Sequence, residues 1–243
     1  MTTTNTSSSV QISTATLVAA LALATLAGCA AKSAKPAAAT AAPVPAATTA
    51  PAVAVASTAT PATAELVWAT FGPATATTAQ GGYINTFSYS EKPGDVAMDA
   101  LAINGDMVQV RGNFVAKGGS AWAGLGVSIE AGNNQPMDAS GYKSLRIRLA
   151  APNGGKLRLR LNGTDIKVRD SGCFPSFTQV VTAKDTVYEI PFSRFAPEAY
   201  CGANGATVAK TLPRFAMVEV ADTSDPVKAR ASNFSIGAIS LLP

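Results

Sequence analysis

The chain has 243 residues, 14% of them charged and 47% hydrophobic, with a net charge of +4 and no histidine. The missing imidazole excludes Ser-His-Asp and Cys-His chemistry and most zinc or copper sites. From Glu65 onward 17 Lys and Arg face 15 Asp and Glu, an excess too small for nonspecific nucleic-acid binding, so no nucleic-acid partner is expected.

Taken in chain order, residues 1–28 read as a signal peptide. A polar Ser/Thr-rich start leads into the apolar run Leu17 to Leu26, too short to span a bilayer as a mature helix. Leu26–Ala27–Gly28–Cys29 resembles the lipobox of bacterial lipoproteins, which implies cleavage before Cys29 and acylation of its thiol. The resemblance implies an exported protein held by a lipid anchor at the outer membrane or cell surface. After the lipidated Cys29, residues 30–64 are almost entirely Ala, Pro, Thr, Val and Ser, with prolines at 36, 43, 45, 51 and 61. Such a stretch buries little and breaks helices, so 29–64 is predicted to be an extended tether.

All sixteen aromatic residues lie at or beyond Trp68, which places the folded domain at 65–243. Strands are predicted near 65–71, 82–90, 107–115, 121–130, 143–150, 156–162, 164–169, 177–182, 186–191, 214–221 and 233–242. Short alternating runs punctuated by Gly, Pro, Asn and Asp, without helical periodicity, predict an all-β fold, an antiparallel sandwich or jelly roll. Cys173 and Cys201 stand in loop-like contexts and, in an exported protein, are predicted to form one disulfide.

Four segments also resemble jelly-roll carbohydrate-binding modules, family-11-type modules and the complex I intermediate-associated protein family in particular. They are Trp122–Ala123–Gly124–Leu125–Gly126, Asp138–Ala139–Ser140–Gly141–Tyr142–Lys143–Ser144–Leu145, Val187–Tyr188–Glu189–Ile190–Pro191–Phe192–Ser193–Arg194–Phe195 and Ile236–Gly237–Ala238–Ile239–Ser240–Leu241. The resemblance implies carbohydrate as partner. Such modules often hold a structural Ca²⁺ through carboxylates near their termini. Here the last strand ends Leu241–Leu242–Pro243 without an acid, so no cofactor or metal is expected.

The candidate site comes from alternation. In Leu145–Arg146–Ile147–Arg148–Leu149 and Leu157–Arg158–Leu159–Arg160–Leu161 the apolar residues point inward and the arginines outward. A turn-rich linker between the runs predicts an antiparallel pair, which would crowd Arg146, Arg148, Arg158 and Arg160 onto one patch. Gln109, Arg111, Trp122, Gly124, Gly126 and Tyr142 continue the outward face if their strands share that sheet. Stacking on an aromatic ring beside arginine forks suits a sugar, and forks match carboxylates best, so acidic polysaccharide is the expected ligand. The expected role is binding without catalysis. Two alternatives remain: a structural lipoprotein with a protein partner, its surface arginines balanced by residues such as Glu219 or Glu130, and a polysaccharide lyase. In the lyase, Arg146, Arg158 and Gln109 would neutralise a uronate while Tyr142 abstracts the proton.

Overall fold

A computed structural model of the chain describes residues 61–72, 78, 81–115, 122–132, 135–224 and 228–243. The signal-like segment, Cys29 and nearly all of the tether lie outside them.

From Leu66 the chain runs through twelve strands: β1 Leu66–Ala69, β2 Ile84–Ser90, β3 Val96–Met98, β4 Ala102–Asn104, β5 Met107–Phe114, β6 Ala123–Glu130, β7 Ser144–Ala150, β8 Gly155–Gly163, β9 Ser176–Val181, β10 Thr186–Pro191, β11 Phe215–Asp222 and β12 Arg230–Leu242. They form two antiparallel sheets. One has the order β10-β7-β12-β5-β3, with β1 added beside β12 and β4 beside β5; the other has the order β2-β6-β11-β8-β9. From β5 to β8 each successive strand changes sheet, as in a jelly roll.

Alternation explains the layering. Val108, Val110, Phe114, Leu145, Ile147, Leu149, Ile236, Ile239 and Leu241 point in from the seven-stranded sheet. Leu125, Val127, Ile129, Leu157, Leu159, Leu161, Val218 and Val220 meet them from the other, and all are buried. At about 1.5–3 kcal/mol for each large side chain, this core is the main favourable term in folding. Trp68 joins the layers: β1 pairs with β12, yet the indole N–H donates to the Ile129 carbonyl of β6 at 3.2 Å.

A second inter-sheet link sits at the β11–β12 corner. Asp222 stands opposite Leu125 and Leu157, so its side chain faces inward and is 5% exposed. Arg230 of β12 donates to it through both terminal nitrogens at 2.9 and 2.7 Å, Ser232 donates its hydroxyl, and the Ser224 N–H donates at 2.9 Å.

Two sequence expectations are corrected here. Residues 164–169 are not a strand: Ile166–Asp170 forms a short helix, α1, because the Asp165 carboxylate accepts the N–H groups of Lys167 and Val168 and caps a helical turn. More consequentially, β7 and β8 do not pair. β7 lies between β10 and β12, and β8 lies between β11 and β9 in the opposite sheet. The link over 151–154 arches across the core, with the Gly154 N–H on the Ala151 carbonyl at 2.7 Å and Gly154 at φ +67°. Both leucine rows still face inward, but from opposite sides, so the two arginine pairs point away from each other.

Candidate functional site

The predicted four-arginine patch is therefore two separate places. On the outer face of the seven-stranded sheet, Arg146 meets Glu65 at 2.8 Å and Glu189 at 3.7 Å. Arg148 meets Asp106 at 2.6 Å and, through Nε, Asp185 at 2.8 Å. Hydrogen bonds donated to the Asp185 and Asp106 carboxylates hold the Arg148 guanidinium above its usual pKa, and Arg148 holds the Asp185 carboxyl below its own. Arg111 faces Asp99 at 3.7 Å, and Gln109 donates to Asn233 at 3.2 Å. Five carboxylates thus surround three guanidiniums on this face, leaving no surplus of positive charge to recruit an anion.

The five-stranded sheet is different. Arg158 and Arg160 of β8 both reach one carboxylate, Glu219 of β11, each at 3.1 Å. Register places Glu219 directly between Arg160 on one side and Ser128 on the other. Arg160 and Glu219 are each 8% exposed, and the Nε groups of Arg158 and Arg160 are buried with no acceptor. The two cations share Glu219 as their one ion-pair partner, and Glu198 acts on Arg158 only at longer range. Of the two acids expected to balance surface arginines, Glu219 does so; Glu130 instead accepts from Asn85 at 2.7 Å.

Over this floor lies an aromatic row. Phe87 and Tyr89 are two apart on β2, opposite Gly126 and Gly124 of β6. A Cβ on Gly124 would sit 2.5 Å from the Tyr89 ring, and one on Gly126 2.9 Å from that of Phe87 and 2.3 Å from the Val220 carbonyl. These two glycines, expected on the outward face, are covered by the protein's own rings. Phe87 stacks on Tyr89 at 6.1 Å, Tyr89 meets Trp122 at 5.0 Å, and the Arg158 guanidinium lies 5.6 Å from the Tyr89 ring centre. Burial pushes the Tyr89 phenol above its usual pKa despite the neighbouring Arg158, so it stays protonated near neutrality.

Trp122 is 48% exposed and lines a cleft of about 710 Å³ with Tyr89, Arg158, Arg160, Gly172 and Tyr200. Tyr200 is 69% exposed and donates its hydroxyl to the Gly172 carbonyl at 3.2 Å. The predicted Cys173–Cys201 disulfide is present, with Cα atoms 5.6 Å apart, and ties the segment after α1 to the turn that carries Tyr200. In the chain-entropy account, a crosslink between residues 28 apart contributes about 3–4 kcal/mol. Replacing both cysteines by serine is expected to lower stability by that amount in urea titrations and to weaken any ligand held against Tyr200.

Of the sequence-predicted site residues, the cleft gathers Trp122, Arg158 and Arg160. Arg146, Arg148, Arg111 and Gln109 lie on the other sheet, and Tyr142 packs against the core beside Pro191 and Phe192. Tyr89, Tyr200 and Glu219 were not identified as ligand contacts. Phe87 and Tyr89 carried a signal in their i, i+2 spacing on a strand, and Tyr200 in its place beside a disulfide cysteine. Among the described residues no group of three or more Asp, Glu or Cys could hold a metal ion.

Neither a family model nor a curated protein sequence matches the chain. Solved structures do. The family 11 carbohydrate-binding module from Clostridium thermocellum, in complex with a β-1,3-1,4-mixed-linked tetrasaccharide, superposes with TM-score 0.46 and 15% identity, covering 65% of this chain and 88% of that one. A family 30 carbohydrate-binding module gives 0.39 and 15%, covering 74% and 83%. An exo-β-agarase gives 0.39 and 13% over 63% of this chain and 23% of the enzyme. These are likenesses of shape, and the tetrasaccharide is the ligand of that Clostridium module.

Proposed function

We propose that the sandwich binds carbohydrate without cleaving it, through the cleft lined by Trp122 and Tyr200, as a domain of an exported lipoprotein anchored by Cys29 at the outer membrane or cell surface. The observation that supports this reading is that two exposed rings, Trp122 and Tyr200, line one cleft together with Arg158 and Arg160. Sugar C–H faces pack on aromatic rings while hydroxyls take directed donors, and the cleft offers both. The reading extends to an acidic sugar because Arg158 and Arg160 share one carboxylate as ion-pair partner, so a uronate would meet guanidiniums that are not matched one to one. That support is narrower than the sequence suggested, since Arg146 and Arg148 are matched by acids on the opposite face.

Affinity gels loaded with neutral and uronate-containing polysaccharides test the proposal on the full chain. Retention is expected, with salt weakening it only for the acidic polymers. Trp122→Ala is expected to reduce binding roughly tenfold or more, since ring stacking contributes on the order of 1.5 kcal/mol, while the fold is kept at a modest loss of stability from its contact with Tyr89. Retention by no glycan would overturn the reading. For the lyase, the residues that would share the chemistry are not assembled: Arg158 is on one sheet, Arg146 and Gln109 are on the other, and Tyr142 is packed against the core. Rising unsaturated-sugar absorbance during such assays would revive it.

A further inference from the structure

Among the nine described arginines, Arg214 alone has neither a carboxylate nor an aromatic ring against its guanidinium. It is exposed and stands four residues after Lys210, which also has no ion pair among the described residues. Lys210 lies on the four-residue helix α2, Val208–Thr211, and Arg214 on the 3₁₀ turn Leu212–Arg214 that continues it. Two cations one helical turn apart repel by a few tenths of a kcal/mol when no acid sits between them. For an arginine this is exceptional here, because the other eight described guanidiniums each meet Asp, Glu or a ring.

Both side chains line a cavity of about 380 Å³, distinct from the aromatic cleft. Thr164 and Asn204 add polar groups to its wall, and Phe174 and Val168 an apolar one. The one acid on the lining, Asp165, is already committed as the cap of α1, accepting from Lys167 and Val168 at 3.0 and 3.3 Å. The segment tied by the disulfide separates the two hollows. Val168 lines the cavity while Arg169 and Asp170 line the cleft, and Asn204 lines the cavity while Tyr200 lines the cleft.

We propose that this cavity is a second binding site, taking a small organic oxyanion whose carboxylate, sulfate or phosphate group sits between Lys210 and Arg214. The group would supply the negative charge the local sequence lacks, while hydroxyls on its body reach Thr164 and Asn204 and a nonpolar face rests on Phe174. A guanidinium fork and a lysine ammonium together fit an oxyanion, and neither must first be pulled from a competing carboxylate.

The test is a titration of the ¹⁵N-labelled full chain with sodium sulfate, inorganic phosphate or sodium glucuronate at constant ionic strength, with glucose as the uncharged control. Saturable shifts at Thr164, Asn204, Lys210 and Arg214 are expected for at least one anion and not for glucose; the anion that saturates first identifies the group. Arg214→Gln, at an exposed position, is expected to weaken that binding about tenfold while leaving the remaining spectrum in place. Lys210→Gln gives the same reading should Arg214→Gln disturb the fold, and Trp122→Ala should leave it unchanged. Linear, non-saturating shifts shared with other exposed cations such as Lys143 and Lys184 would overturn the proposal. So would equal affinity in wild type and Arg214→Gln.

Discussion

Glu219→Ala is expected to destabilise the sandwich by about 3–5 kcal/mol, read as a lower urea midpoint with an unchanged slope. Among the described residues Glu219 is the one carboxylate in ion-pair contact with Arg158 and Arg160, and it also accepts from Asn162 at 3.4 Å. Removing it strands two nearly buried guanidiniums that already have unsatisfied Nε groups. An ion pair replaced as a whole by apolar residues can be neutral, so the loss comes from breaking the set rather than from its intrinsic worth. In an Arg158→Ala/Arg160→Ala background the same substitution should therefore cost far less. A comparable cost in both backgrounds would show that Glu219 acts through packing alone. Glu219→Gln keeps the shape and removes the charge. At temperatures where it stays folded, acidic polymers should be retained more strongly relative to neutral ones if the cleft is the binding site.

Asp222→Ala is expected to cost a similar amount, about 3–5 kcal/mol, for a different reason. The carboxylate joins the sheets at the β11–β12 corner, holding Arg230, Ser232 and the Ser224 N–H in a buried setting, and Arg230 in turn lies 4.2 Å from the centre of the Phe114 ring. Burial by itself would raise the Asp222 pKa; the hydrogen bonds from Arg230, Ser232 and Ser224 outweigh it and hold the carboxyl below its ordinary value. The sign follows. A carboxyl with a depressed folded pKa contributes stability that is present above its unfolded value, near 4, and is lost as pH falls through the folded value. Wild-type stability should thus fall in the acid range below about pH 4, and the Asp222→Ala protein should fall less steeply there. Parallel acid limbs in the two proteins would remove Asp222 from this account.

Much of the fold could be read from residue order because period-two alternation is a local property. Leu145–Ile147–Leu149 and Leu157–Leu159–Leu161 are inward wherever their strands lie, and ten of the eleven predicted segments are strands with closely matching bounds. The exception, 164–169, alternates as a strand would, but the Asp165 side chain found two backbone donors within one turn and a helix won. β3 and β4 went unread since three residues are too few to display a period. The disulfide was legible from cysteine count and context, given an exported chain.

What alternation cannot carry is which sheet a strand joins. A hairpin and an arch over the core need the same apolar rows and the same turn formers; they differ only in whether the two polar rows end up side by side or back to back. Ala151–Pro152–Asn153–Gly154 arches, so Arg146 and Arg148 went to one outer face and Arg158 and Arg160 to the other. The same long-range pairing set β2 beside β6, laid Phe87 and Tyr89 on Gly126 and Gly124, and brought Tyr200 to the cleft that Trp122 lines over 78 positions of sequence. Residue order determined that this is a β-sandwich with inward leucines, outward arginines and one crosslink. Strand pairing between distant segments decided which arginines share a carboxylate and where the exposed rings meet, because those neighbours are chosen by packing across the core and leave no local periodic trace.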